Sequence, residues 1–176
     1  MSNVVLVTGG FDPIHKGHIE YFKEAKLLGD KLIVGLNSDH WLTRKKGKPF
    51  MDLENRAMVI QSLNMVDEVI IFNDEDNTSC HAIHQALQFY DEVIFANGGD
   101  RLISNIPEYE KYSNDERVKF VCNVGGDKTE SSSWLLDNWR SPKTLRKWGY
   151  YKDLYLGKGF KVKELVIKPF SCLSMQ

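Results

Sequence analysis

The sequence predicts an α/β protein built on a doubly wound parallel sheet of about five strands, with a C-terminal extension of β-strand character. Three observations carry this expectation. Short β-branched runs alternate with helical-period segments over most of the chain. The tetrapeptide Asp-Glu-Val-Ile occurs at 67–70 and again at 91–94, reading as two equivalent strand entries; one recurrence is too few for a solenoid. The charge balance changes abruptly after Pro142: residues 1–142 carry 15 basic and 22 acidic side chains, residues 143–176 carry 8 and 2.

The elements follow in order. A first strand covers Val4 to Val7, and a loop containing Gly9 and Gly10 leads to a helix from about His18, with Ile19, Phe22 and Ala25 inward. Lys31 to Leu36 is the second strand. A polar, basic stretch through Lys48 precedes a helix starting near Asp52, which suits an N-cap because its carboxylate accepts from free helical N–H groups. Asp67 to Phe72 is a strand, Thr78 to Phe89 a helix, Glu92 to Ala96 and Arg117 to Asn123 strands, and Ser132 to Trp139 a closing helix. This is a Rossmann-like order, read as one domain over 1–140 and a linker with an incomplete tail over 141–176.

Composition bounds the function. With 42% hydrophobic, 11% aromatic and 27% charged residues, the 176-residue chain has the material for a core. A net charge of −1 argues against a protein that grips nucleic acid through bulk positive charge. Cys80, Cys122 and Cys172 are odd in number and widely spaced, offering neither a disulfide framework nor a metal-ligand pattern. No run approaches the roughly 18 apolar residues of a membrane helix, and no basic segment precedes Val4 to Val7. The expectation is a cytoplasmic protein with no membrane and no nucleic-acid partner.

The chemistry concentrates in Thr8-Gly9-Gly10-Phe11-Asp12-Pro13-Ile14-His15-Lys16-Gly17-His18, where a first strand meets a first helix and backbone N–H groups collect anions. A helix N-terminus contributes only about 0.3–1 kcal/mol toward an exposed anion. Imidazoles three residues apart add directional donors, and one well-placed transition-state donor is worth roughly 2.7–4 kcal/mol. Phosphate charge nearby favours their protonated form.

Gly10-Phe11-Asp12 followed by His15-Lys16-Gly17-His18 resembles the signature of the cytidylyltransferase-like nucleotidyltransferases. Leu28 to Asp39, Arg44-Lys45-Lys46-Gly47, Glu54-Asn55-Arg56, Val66-Asp67-Glu68-Val69 and Asn97-Gly98-Gly99-Asp100 resemble successive blocks of the heptose 1-phosphate adenylyltransferase and glycerol 3-phosphate cytidylyltransferase branches. The resemblance implies that His15 and His18 contact the α- and β-phosphates of a nucleoside triphosphate, and that Gly9, Gly10, Phe11 and Gly17 line the nucleotide cleft. It implies that Lys46 holds the acceptor phosphate or the α-phosphate, with Arg44 and Arg56 assisting. Asp100 reaches the ribose or base side, and Ser131, Ser132 and Ser133 hold the leaving pyrophosphate. Mg2+ accompanies the triphosphate, the acceptor is a sugar or polyol phosphate, and a homodimer is implied. Lys128 where the cytidylyltransferase branch has Arg, a missing Gly-Ile step before Ser131, and Asn64 in place of an arginine lean toward ATP over CTP.

Plainer roles stand beside these. Arg44 to Lys48 suits a solvated basic loop, Arg56 an ion pair with Glu54 or an Asp, and Ser131 to Ser133 a helix N-cap. His81 and His84 suit a surface pair, and Trp134, Trp139 and Trp148 suit core or interface anchors. From Trp148 to Gln176 the tail resembles the opening strands of the cupin in mannose-6-phosphate isomerases fused to sugar nucleotidyltransferases. Its lysines at 158, 161, 163 and 168 suit a strand edge that resists pairing. The function class is an enzyme transferring a nucleoside monophosphate; the alternative is a silent nucleotide-binding or regulatory module of the same fold.

Overall fold

The computed structural model describes residues 3–99, 101–126 and 130–173. They form two compact units, residues 1–130 and 131–176, so the last helix groups with the C-terminal strands, ahead of the 140/141 boundary expected from sequence.

The first unit is a five-stranded sheet. Its strands are β1 (Asn3–Gly9), β2 (Lys31–Leu36), β3 (Glu68–Ile71), β4 (Glu92–Gly98) and β5 (Val118–Val124), all parallel, in the order β3-β2-β1-β4-β5. The helices are α1 (Lys16–Lys26), α2 (Asp39–Lys46), α3 (Leu53–Gln61), α4 (Cys80–Ala86) and α5 (Pro107–Tyr112). Both Asp-Glu-Val-Ile echoes do open strands, at Glu68 and Glu92.

Successive residues of β1 face opposite sides of the sheet, and both sides are covered, which is why the run is apolar without interruption. Val4 and Leu6 pack with Ala82, Ile83 and Phe95 on the α4 face. Val5 and Val7 pack with Phe22, Ala25 and Ile60 on the α1 and α3 face. The chain winds outward from β1 through β2 to β3, then returns to place β4 on the other side of β1. That reversal opens a crevice beyond the carboxyl ends of β1 and β4, the place where open α/β sheets bind ligands.

Helix α2 lies where the sequence predicts only a polar stretch. Ser38 caps it by accepting from the Trp41 N–H, Asp39 occupies the first turn, and Arg44, Lys45 and Lys46 occupy the last, where cations suit the helix dipole. Gly47, at φ 87°, ends it in a conformation that side chains resist. Helix α3 starts as expected, with the Asp52 carboxylate accepting from Asn55 N–H.

The second unit holds α6 (Ser132–Arg140) and an antiparallel sheet of β6 (Thr144–Arg146), β7 (Gly149–Gly157) and β8 (Phe160–Ile167) in that order. β8 is an edge strand, exposed along its whole length, and carries Lys161 and Lys163. Trp134 and Trp139, expected as core or interface anchors, are both exposed.

Candidate active site

The glycine-rich turn is built by packing. A Cβ on Gly10 would lie 2.7 Å from a Leu42 methyl, and one on Gly9 would lie 2.9 Å from the Phe11 ring. Phe11 itself takes φ 48°, a left-handed value costly for a bulky residue. Its ring is buried, edge-on to both Phe22 and His18 at centroid distances of 4.9 and 5.0 Å. Phe11 therefore meets the crevice through its backbone while its side chain braces His18.

Asp12 is the hidden organiser of the turn. Its buried carboxylate accepts the N–H groups of Phe50 at 2.7 Å and Met51 at 2.8 Å, and its carbonyl accepts Lys46 Nζ at 3.0 Å. Lys46 is thereby tethered to the motif from the last turn of α2. Replacing Asp12 by alanine strands two backbone donors, and a loss of about 1–3 kcal/mol per stranded group is expected; urea unfolding of the two proteins measures it.

His15 is the N-cap residue of α1 and His18 lies in its first turn. Their rings stack, with centroids 3.6 Å apart and planes inclined by 24°. His15 Nδ1 lies 3.6 Å from the Glu130 carboxylate, ion-pair distance once the imidazole is protonated. A Cβ on Gly17 would come within 3.3 Å of the His15 ring, so Gly17 makes room for that imidazole. His18 Nδ1 is buried, and no hydrogen-bond partner for it is found among the described residues. Burial first, then the charges of His15 and Lys46, push the His18 pKa down to about 3. Without a ligand, His18 is neutral at pH 7.

This has a consequence for acid stability. The unfolded chain protonates His18 near 6.5 and the folded chain near 3, so between those values the unfolded state binds more protons and stability falls as pH drops. A His18→Gln variant is expected to lose less stability than the parent between pH 7 and pH 4.5 in urea melts. Equal losses would show that His18 is not held neutral.

Arg56 departs from the phosphate-binding role that the family resemblance implies. It is 0% exposed, and its guanidinium donates four hydrogen bonds to the turn and its surroundings. Nη1 donates to the carbonyls of Gly10 and Asn37, both at 2.9 Å, Nε to that of Met51 at 3.2 Å, and Nη2 to the Asp39 carboxylate at 2.6 Å. Arg56 is a clamp beneath the glycine-rich turn. Of the acidic partners its sequence position offers, Glu54 or an Asp, the one that pairs with it is Asp39.

Arg44 and Lys46 point to nearly opposite faces of α2, as the 3.6-residue period requires. Arg44 donates to the Asp74 carbonyl and to Asn77 Oδ1, and with His40 and Thr43 lines an open cleft of about 590 Å³ bounded by Phe72, Asn73 and Glu75. Asp74 is buried, and its carboxylate takes three hydrogen bonds, from Asn37 Nδ2, Ser38 N and Ser38 Oγ. Ser131 is the N-cap residue of α6, with Ser132 and Ser133 in its first turn, in the second unit. Asp100, Lys128 and Thr129 lie outside the described residues.

The structure thus gathers Gly9, Gly10, Phe11, His15, Gly17, His18 and Lys46 at one end of β1. Asp12, Asp39 and Glu130 are supporting residues that motif reading left without roles. Stacked imidazoles at a helix mouth, a tethered lysine and a side-chain-free turn make a site for a polyanion. Taken with the sheet order, these features define a phosphate-handling α/β fold of the nucleotidyltransferase type. A family model described as Cytidylyltransferase-like matches residues 6–160, and the chain belongs to that family.

Its relatives agree. Bifunctional protein HldE of Helicobacter pylori strain Shi470 is 39% identical over 139 residues, covering 69% of this chain and 29% of the relative. Bifunctional protein HldE of Blochmanniella floridana is 43% identical over 107 residues, covering 60% of this chain and 21% of that protein. The chain therefore spans less than a third of these relatives. The crystal structure of the lipopolysaccharide core biosynthesis protein from Thermoplasma volcanium GSS1 is similar, with a TM-score of 0.55 and 32% identity. That match covers 70% of this chain and 97% of the other.

Proposed function

We infer that the chain transfers a nucleoside monophosphate from a nucleoside triphosphate, ATP in preference to CTP, to a sugar or polyol phosphate, releasing pyrophosphate. The observation that carries this reading is the stacked His15 and His18 pair at the α1 mouth with Lys46 tethered beside it. An oxygen of the acceptor phosphate attacks the α-phosphorus in line. The bond from that phosphorus to the bridging oxygen breaks, and its electron pair leaves with pyrophosphate. No protein nucleophile is required, so position and charge supply the rate.

In this reading Lys46 holds the two reacting phosphates close against their repulsion, while His15 and His18 donate to the α- and β-phosphates as charge builds. Arrival of the triphosphate opposes the depression of the His18 pKa, favouring proton uptake on binding. Asp100 on the ribose or base side completes the assignment. Among the described residues no three His, Cys, Asp or Glu side chains group to hold a metal. Mg2+ comes with the substrate in this reading, as the counter-ion of the triphosphate. A cytoplasmic homodimer is the expected form.

The reading is tested by pyrophosphate release with ATP, then CTP, against a panel of phosphorylated sugars and polyols. Release that depends on both substrates, faster with ATP, is expected. Nucleotide binding without release for every pair would replace the enzyme with a silent nucleotide-binding module.

A further inference from the structure

Two aromatic side chains near the Gly10–Asp12 turn have no part in the chemistry described so far. Trp41 is half-buried on α2, and its ring edge comes within 3.6 Å of where a Cβ on Gly10 would stand. Phe50 is 52% exposed, yet its own N–H is bound at 2.7 Å by the buried Asp12 carboxylate. An exposed phenyl costs apolar contact with water. Here it is mounted on a segment pinned to the catalytic turn by two backbone hydrogen bonds, from Phe50 and Met51, so its placement is set by the same carboxylate that orders the site.

A cation lies over the Trp41 ring, and a second is held at the turn itself. Lys45 Nζ lies 4.3 Å from the Trp41 ring centroid, a cation–π distance, and Lys46 Nζ reaches the Asp12 carbonyl at 3.0 Å. Trp41 with Lys45, and Leu42 with Lys46, are i,i+4 pairs, so α2 brings two neighbouring stripes to the turn, each with a flat or apolar residue ahead of a lysine. Apolar rings beside fixed positive charge complement a ligand with a phosphate at one end and a carbon skeleton at the other.

The geometry points to Trp41 and Phe50 as the residues that select the acceptor: they form a shelf on which the C–H face of a phosphorylated ring sugar lies while its phosphate meets Lys45 and Lys46. This rests on the nucleotidyl-transfer reading above and names the part of the acceptor that the chain reads. An open-chain polyol phosphate offers no flat C–H face to the indole and gains less from it. The free nucleoside triphosphate does not use the shelf.

Steady-state kinetics at saturating ATP test this with Trp41→Ala, Trp41→Phe and Phe50→Ala in the full chain. Each alanine variant is expected to raise the KM for the ring-sugar phosphate about tenfold, the change that about 1.4 kcal/mol of lost contact produces. The KM for ATP stays within about twofold, kcat falls less than the acceptor KM rises, and Trp41→Phe recovers most of the loss. Glycerol 3-phosphate is expected to show a smaller change. Acceptor KM values that do not move, or that move together with the ATP KM, overturn the proposal. So does a Phe50→Ala variant that changes only the oligomeric state, since that assigns Phe50 to a contact between copies.

A binding measurement separates failure of this inference from failure of the enzymatic reading. Tryptophan fluorescence is titrated with glucose 1-phosphate and, in parallel, with inorganic phosphate. Saturable quenching by the sugar phosphate, stronger than by phosphate and lost in Trp41→Phe, supports the shelf even where no pyrophosphate is released. No difference between the two titrants overturns it.

Discussion

Replacing His18 by alanine is expected to lower turnover by about 100- to 1,000-fold while the protein still folds. The size follows from the position. His18 sits in the first turn of α1, stacked on His15 and braced edge-on by Phe11, so its imidazole is held before any ligand arrives. A donor fixed in advance toward developing charge is worth about 2.7–4 kcal/mol in the transition state. The same burial makes its charge in the free protein unfavourable, so alanine removes a source of acid sensitivity along with the imidazole. The loss should therefore appear in kcat with thermal stability at neutral pH nearly retained. His18→Asn, which keeps a donor of different reach, is expected to fall between alanine and the parent. A His18→Ala enzyme turning over at the parental rate would show that the imidazole pair has been assigned the wrong task.

Loss of Arg56 is expected to have the largest effect on stability. Arg56→Met keeps much of the side-chain volume but leaves the Asp39 carboxylate and the carbonyls of Gly10, Asn37 and Met51 short of a donor. The Asp39 side chain is 38% exposed and keeps water, so most of the cost comes from the three carbonyls, about 1–3 kcal/mol for each one left unmet in the interior. For a unit of this size that is roughly a 10 °C fall in the melting temperature or more. Arg56→Lys should recover only part, because one ammonium cannot span acceptors spread from Met51 to Asp39. Residual activity in Arg56→Met should fall as well, since Arg56 holds the Gly10 carbonyl in the turn that leads into α1. If the melting temperature stays within a degree or two while nucleotide affinity drops, Arg56 binds phosphate and the clamp is not its role.

Most of the sheet was legible in the sequence because buried parallel strands leave a strong mark. β2 has the bounds that its sequence predicts, since Leu32 to Leu36 are buried together and Asp30 and Asn37 bracket them. The α1 mouth was legible because glycines and histidines cluster there for chemical reasons. Helix α2 was missed because Leu42 is its one buried residue, so hardly any apolar period exists to detect. What it does show is a capping Ser38, a basic last turn and Gly47, start and stop signals that mark a helix without an apolar face. Helix α5 is six residues long and begins on Pro107, a start signal without enough length behind it.

The roles of Arg56 and Asp12 were illegible for a different reason. A charged residue in a motif block reads as a ligand contact unless its partners are known, and those partners come from afar in the chain: Gly10 and Asn37 for Arg56, Phe50 and Met51 for Asp12. Only the folded arrangement shows that these charges hold the turn in shape. The likeness of the motif to its family is thus partly a likeness of scaffolding.

The central claim, that an acceptor phosphate attacks the α-phosphorus, is tested most directly by where the label goes. With the triphosphate labelled in turn at its α- and γ-phosphates and a phosphorylated sugar as acceptor, the α-label is expected in the sugar product and the γ-label in pyrophosphate. A γ-label carried to the acceptor, or released as inorganic phosphate, would contradict the account.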